Sequence, residues 1–119
     1  MKDLSILLAS YDEAHDFWHI TAQSFASHWA DNPYEIFLGA NGEDHQSYCP
    51  TEWNYINQGP DHAWHQSMLT YLSSIKTDYV LVHLDDFALV ASVSSRKIQE
   101  CIDFLKLRNG VYLRLMPKP

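Results

Sequence analysis

Residues 79–87 read YVLVHLDDF, and this stretch decides the fold. Its first six residues are β-branched, aromatic or aliphatic apart from one histidine, the composition of a buried strand. The run then stops on two adjacent aspartates. An unpaired carboxylate is costly to bury, so a core strand ending on two of them must deliver them to solvent, to hydrogen-bond donors or to a cation.

The flanking segments repeat one pattern, an apolar strand, a polar break and an amphipathic helix. LSILLA at Leu4–Ala9 reads as a first strand, followed by the polar turn SYDEAHD at 10–16. Trp18, Ala22, Phe25 and Trp29 then fall at i, i+4, i+7 and i+11, on one face of a helix that DNP at 31–33 ends. YEIFLGA at 34–40 is a second strand, and the turn-rich NGEDHQSYCPTE at 41–52 leads to a short third strand around Tyr55 and Ile56. NQGPDH breaks the chain again, and Trp64, Met68, Tyr71, Leu72 and Ile75 repeat at the helical spacing of a second helix that packs on the sheet before the strand at 78–84. Beyond the aspartates, FALVASV at 87–93 reads as a further strand and Ser94 as the N-cap of a third helix. Ile98, Cys101, Ile102 and Leu105 give that helix its apolar face, Lys106 and Arg108 close its last turn, and Gly110 stops it. VYLRLMP at 111–117 reads as a last strand. Strands alternating with helices predict one α/β domain over residues 1–119, Rossmann-like, with a mostly parallel sheet flanked by helices.

A chain of 119 residues, 46% hydrophobic and 13% aromatic, is long and apolar enough to bury a core of its own. Its 15 acidic residues outnumber 8 basic ones, and no Lys/Arg cluster stands out, which disfavours nucleic-acid binding through a phosphate-tracking patch. The same balance leaves few cationic side chains to offset an anionic ligand, and a divalent metal is the natural substitute. No apolar run approaches the roughly 20 residues of a membrane helix, and the N-terminus lacks a signal-peptide pattern. The expectation is a soluble, cytoplasmic protein with no transmembrane segment. Cys49 and Cys101 stand far apart without CxxC spacing and read as reduced, structural thiols.

Ligands of open α/β sheets bind beyond the carboxyl ends of the strands, where the winding reverses. Three polar breaks lie at such ends: Ser10, Tyr11 and Asp12 after the first strand, Asn41 after the second, and Asp85 with Asp86 after the strand at 78–84. Successive strand residues face opposite sides, so one aspartate is expected to meet a ligand or metal and the other to orient the loop. Ligation by oxygen alone suits Mg²⁺ or Mn²⁺. The pair equally fits a plain turn in which carboxylates bond local amides. His15 and His19, and His62 and His65, lie one helical turn apart. With Asp12 or Asp16 they offer a zinc reading that no HExxH or cysteine pair supports; solvated helix-face histidines are the plainer one. There is no GxSxG elbow, no GxGxxG and no P-loop, and Cys49 beside Pro50 has no evident partner base. Trp18, Trp29, Tyr71 and Phe104 read as core aromatics, while Trp64 suits either the core or the cap of a cleft.

Taken together, SYDEAHDFW, WADNPYEIFLGAN, INQGPDHAWHQSMLTYLSSIKTDYVLVHLDDF and VYLRLMPKP resemble the N-terminal, donor-binding half of bacterial GT-A-type glycosyltransferases that build surface polysaccharides. The resemblance implies a nucleotide-sugar donor, with Ser10, Tyr11 and Asp12 at the base, Asn41 bordering the nucleotide, and Asp61 and Trp64 near the ribose or sugar. LDDF resembles the acidic DxD-type motif without its spacer, which implies that Asp85 and Asp86 hold Mn²⁺ or Mg²⁺ on the donor diphosphate. The half of such enzymes that carries the acceptor site and catalytic base has no counterpart before Pro119. The resemblance therefore implies donor binding more than transfer, or a non-catalytic binding or assembly module derived from a truncated enzyme. A metal-dependent donor hydrolase is a further option. A strand at 111–117 with nothing to cover it would favour a homo-oligomer, a dimer first of all.

Overall fold

The computed structural model of the chain describes residues 3–60 and 63–115. The elements are β1 (Leu4–Ala9), a 3-10 turn (Asp12–Phe17), α1 (Trp18–His28), β2 (Glu35–Ala40), a 3-10 turn (Gln46–Tyr48), β3 (Asn54–Asn57), α2 (Trp64–Ser73), β4 (Tyr79–Leu84) and α3 (Ser95–Leu107). The four strands form one sheet in the order β3-β2-β1-β4, with every pairing parallel. This is the Rossmann-like layout that the alternation of strands and helices predicts.

β1 is central, and all six of its residues are buried. Its side chains alternate between two cores because successive strand residues point to opposite faces. Ile6 and Leu8 pack with Trp18, Phe25 and Trp29 of α1 and its end, and Ile98 of α3 borders that cluster. Leu7 and Ala9 pack with Met68, Tyr71 and Ile75 of α2 and its end. The sheet is thus covered by α1 and α3 on one face and by α2 on the other, the arrangement that a parallel sheet requires. β2 meets α2 at Gly39, where an added Cβ would lie 2.6 Å from the Tyr71 ring. Glycine there lets a buried aromatic ring rest directly on the strand. Trp53 also enters the first core; it stands in the turn-rich connection before β3, where no periodicity marks it as buried. Among the described residues, no helix is long and apolar enough to cross a membrane.

Two strands expected from composition do not form. Residues 87–93 make no ladder; the loop after β4 is tied by its backbone to α1 at three points instead. Thr21 Oγ1 donates to the Asp85 carbonyl at 2.8 Å, Leu89 N–H donates to Ser24 Oγ at 3.0 Å, and Val93 N–H donates to the His28 carbonyl at 2.9 Å. Just past the end of α1, Trp29 Nε1 adds a side-chain tie to the start of α3 by donating to Ser95 Oγ at 2.8 Å. Successive turns of one helix thereby satisfy groups that a neighbouring strand would otherwise pair, while Leu89 and Val93 still reach the first core. The last strand is absent over 111–115 as well; Met116 and Pro117 of that expectation lie outside the described residues. Its β-forming composition meets no partner strand among the described residues, and strand preference is expressed through cross-strand pairing rather than by the backbone alone. Val111 and Tyr112 are left almost fully exposed, and β4 remains an edge strand with Val82 and Leu84 half exposed.

Two smaller expectations are also revised. Phe104 is half exposed rather than core, with the Arg108 guanidinium 5.6 Å from its ring centre. α3 begins as expected, with Lys97 N–H donating to Ser94 Oγ at 3.2 Å. Its left-handed stop is Asn109 (φ +52°), not Gly110. Asn109 N–H donates to the Lys106 carbonyl and Gly110 N–H to the Leu105 carbonyl, the paired closure of a Schellman cap.

Candidate functional site

The winding reverses between β1 and β4, since β2 and β3 are added on one side of β1 and β4 on the other. The parallel register aligns Ala9 with Leu84, so the two strands end side by side and deliver Ser10 and Asp85 to the same place. Ser10 Oγ donates to Asp85 Oδ2 at 2.7 Å and accepts from Trp18 Nε1 at 2.8 Å. One of the two charges that close β4 thus ends on a donor.

A cavity of about 550 Å³ opens above these strand ends, a size that suits a small-molecule ligand. Ser10, Tyr11, Asp12, Asn41, Trp64, Asp85 and Asp86 all line it. Asp61, the remaining residue singled out by the sequence, lies outside the described residues. Glu13, Ser67 and Tyr71 line it too, and sequence reasoning missed them in this role. Tyr71 reads as core from its helical spacing and is core, yet it also floors the cavity. Ser67 is one position before the Met68 of that stripe, which is the signal that could have placed it there.

The loops around the cavity are tied to one another. The Asp12 carboxylate accepts from Glu13 N–H at 2.9 Å and from Glu43 N–H at 3.0 Å, joining the turn after β1 to the turn after β2. Gly42 sits beneath it with φ +71°, where a Cβ would collide with that carboxylate. Gln58 donates through its backbone N–H to the Ala40 carbonyl and through Nε2 to Ser67 Oγ at 2.7 Å, joining the end of β3 to α2. Tyr11 and Trp64 are 50% and 64% exposed at the cavity and offer two aromatic surfaces to a ligand. Among the described residues, the lining includes the carboxylates of Asp12, Glu13, Asp85 and Asp86 and no lysine, arginine or histidine. Such a wall repels a bare anion and favours a ligand that is cationic or arrives with a cation.

His83 stands on β4 just before this corner. Its half-buried ring meets Phe25 edge-on, with centroids 5.4 Å apart, and it hydrogen-bonds the Phe87 carbonyl. Burial holds its pKa below the ordinary value, against the opposing pull of the Phe87 carbonyl, Asp85 and Asp86. A histidine held neutral by folding contributes stability above its unfolded pKa of about 6.5 and loses it as pH falls through the folded value. The urea midpoint is therefore expected to drop on acidification below about pH 6.5, and to drop less in His83→Gln. An equal drop in both proteins would remove His83 from this account.

Among the described residues, the histidines build no metal centre. His15 stacks on His45 with ring centres 3.9 Å apart and planes 20° from parallel, so their in-plane lone pairs cannot converge on one ion. His15 Nδ1 is also 2.7 Å from the Asp12 carbonyl. His19 and His65 are exposed, and His62 lies outside the described residues. Among the described residues, no group of three His, Cys, Asp or Glu side chains is placed to hold an ion. Both cysteines are free. Burial, reinforced by Glu52, pushes the Cys49 thiol up to about 11, so it stays protonated and is no nucleophile at neutral pH.

No protein-family model, no curated protein and no solved structure matches the chain. What stands is a small parallel α/β domain of Rossmann-like layout, and the glycosyltransferase resemblance rests on its sequence motifs alone.

Proposed function

We propose that this chain is a non-catalytic α/β binding module whose ligand occupies the cavity at the carboxyl ends of β1 and β4. The observation that carries this reading is the acid-walled, aromatic-rimmed cavity at the point where the sheet reverses. Open α/β sheets use that position for ligands across unrelated functions.

A second, finer reading is favoured by the presence of Asp85 and Asp86 together in the wall. In it the ligand is the nucleoside diphosphate portion of a nucleotide-sugar donor, brought in with Mn²⁺ or Mg²⁺. Two carboxylates are too few for a cage made of protein alone. They do suit an ion that takes its remaining ligands from water and phosphate, as Mg²⁺ usually does. When bound, the metal would supply the positive charge that this wall lacks. Thermal melting tests both readings, because a ligand that binds only the folded state must raise the melting temperature. Uridine diphosphate is expected to raise it only with Mn²⁺ or Mg²⁺ present. An equal rise in excess chelator would remove the metal, and no rise with any nucleotide would remove the nucleotide. If amines and metal ions also fail to shift melting or Trp64 fluorescence, the binding module itself fails. Acceptor-dependent breakdown of a nucleotide-sugar would instead make the chain an enzyme.

The homo-oligomer is proposed at a different place, the outer edge of β4, which has no ladder partner among the described residues and carries the half-exposed Val82 and Leu84. Unpaired strand edges invite a partner, and twofold pairing of two copies is the commonest closure. Light scattering at micromolar concentration is expected to give twice the mass of the chain. The mass of one chain would remove the dimer.

A further inference from the structure

We infer that Trp18 and Thr21, two α1 residues that do not line the cavity, are positioning residues that hold Asp85 in its wall, with Ser10 as the link. The inference rests on the reading that this cavity binds a ligand. It assigns work to a helix that the cavity alone would leave as packing.

The direction of the hydrogen-bond chain follows from what each group can do. An indole N–H only donates and a carboxylate only accepts, while a hydroxyl has one proton and two lone pairs. Ser10 Oγ lies 2.8 Å from Trp18 Nε1 and 2.7 Å from Asp85 Oδ2, so its proton points to Asp85 and its lone pair to Trp18. Bonds aligned in this way polarise one another and strengthen the last link. Thr21 grips the same residue by its backbone, with Oγ1 2.8 Å from the Asp85 carbonyl. Residues 18 and 21 lie about one helical turn apart, and both are only 1% exposed. For packing alone, phenylalanine and valine would fill these places with no donor to satisfy. Instead both buried donors act on one residue, Trp18 through Ser10 and Thr21 directly. The adjacent aspartates consequently differ: Asp85 is clasped from side chain and backbone, and the exposed Asp86 beside it is the one that can move to meet a ligand.

The test has a ligand-free arm and a ligand arm. In the first, NMR follows solvent exchange of the tryptophan indole N–H groups. Ser10→Ala removes the acceptor, so the Trp18 indole should exchange about tenfold faster or more, while those of Trp29, Trp53 and Trp64 stay as they were. An unchanged Trp18 indole would break the link. In the second arm, uridine diphosphate with Mn²⁺ is titrated calorimetrically into Thr21→Val, which keeps the shape and loses the hydroxyl, and into Thr21→Ser, which keeps the hydroxyl. Affinity should fall about tenfold in the first and stay within about threefold of wild type in the second. Wild-type affinity in Thr21→Val would overturn the positioning role. If the wild-type protein does not bind this probe, the nucleotide reading has failed and the Asp85 and Asp86 backbone amide resonances decide instead. Thr21→Val should move them and Thr21→Ser should not; unmoved resonances in Thr21→Val would overturn the inference.

Discussion

Trp18→Ala is expected to remove about 3–5 kcal/mol of stability, the usual cost of deleting a large buried aromatic side chain. Trp18 is among the largest fully buried side chains. It fills the core between α1 and the sheet with Ile6 and Leu8, and its ring lies 6.0 Å from that of Tyr55 on β3. The truncation would leave a cavity across three elements and strip Ser10 of its donor at the same time. A domain of this kind holds only about 5–15 kcal/mol in total, so much of its margin would go. Urea unfolding followed by circular dichroism measures the loss, provided the slope of the transition is unchanged. A loss below about 1 kcal/mol would place Trp18 outside the core packing that this fold requires.

Asp85→Asn and Asp86→Asn are expected to lower metal-linked nucleotide affinity by roughly tenfold to a hundredfold each, since one charge-assisted contact is worth about 1.5–3 kcal/mol. An amide keeps the shape of the carboxylate and loses the charge that attracts a divalent cation. Neither variant should unfold the domain. In Asp85→Asn the amide oxygen would still accept from Ser10, and Asp86 is exposed. Calorimetry with uridine diphosphate and Mn²⁺ measures the binding, and a melt of each variant checks the fold. Normal binding by both variants would make the aspartates turn residues. Unfolding of either would make its carboxylate structural.

Much of the fold is legible in the chain because the two strands at the reversal of the sheet are written plainly. β1 and β4 are short apolar runs with a sharp polar stop, and α1 carries an aromatic stripe at helical spacing whose members Trp18, Phe25 and Trp29 are buried. Once the strands are known to be parallel, the rule for their carboxyl ends brings Ser10, Asn41 and Asp85 together from three places in the sequence. The errors have a common cause. Residues 87–93 and 111–115 have strand composition, but whether a strand forms depends on a neighbour that composition does not reveal. The first segment is captured by α1, and the second has no ladder partner among the described residues. Thr21 is invisible for the same reason: its bond to the Asp85 carbonyl spans 64 residues, and a lone threonine on a helix carries no sign of it. Trp53, in an irregular connection, has no periodic companions to mark it as core. The donor sugar comes from motif resemblance alone, while the metal is also suggested by the acidic balance of the chain and by the adjacent Asp85 and Asp86.

If the acid-walled cavity at the ends of β1 and β4 is the binding site, paramagnetic NMR should locate the ligand there. In ¹⁵N-labelled protein with uridine diphosphate, Mn²⁺ is expected to broaden the amides of Ser10, Tyr11, Asp12, Asn41, Asp85 and Asp86 first, and chelator is expected to restore them. Broadening centred instead on the apolar groove between β4 and α3 at Tyr79, Leu81, Ile98 and Ile102, with the cavity signals unchanged, would place the ligand elsewhere and overturn this site.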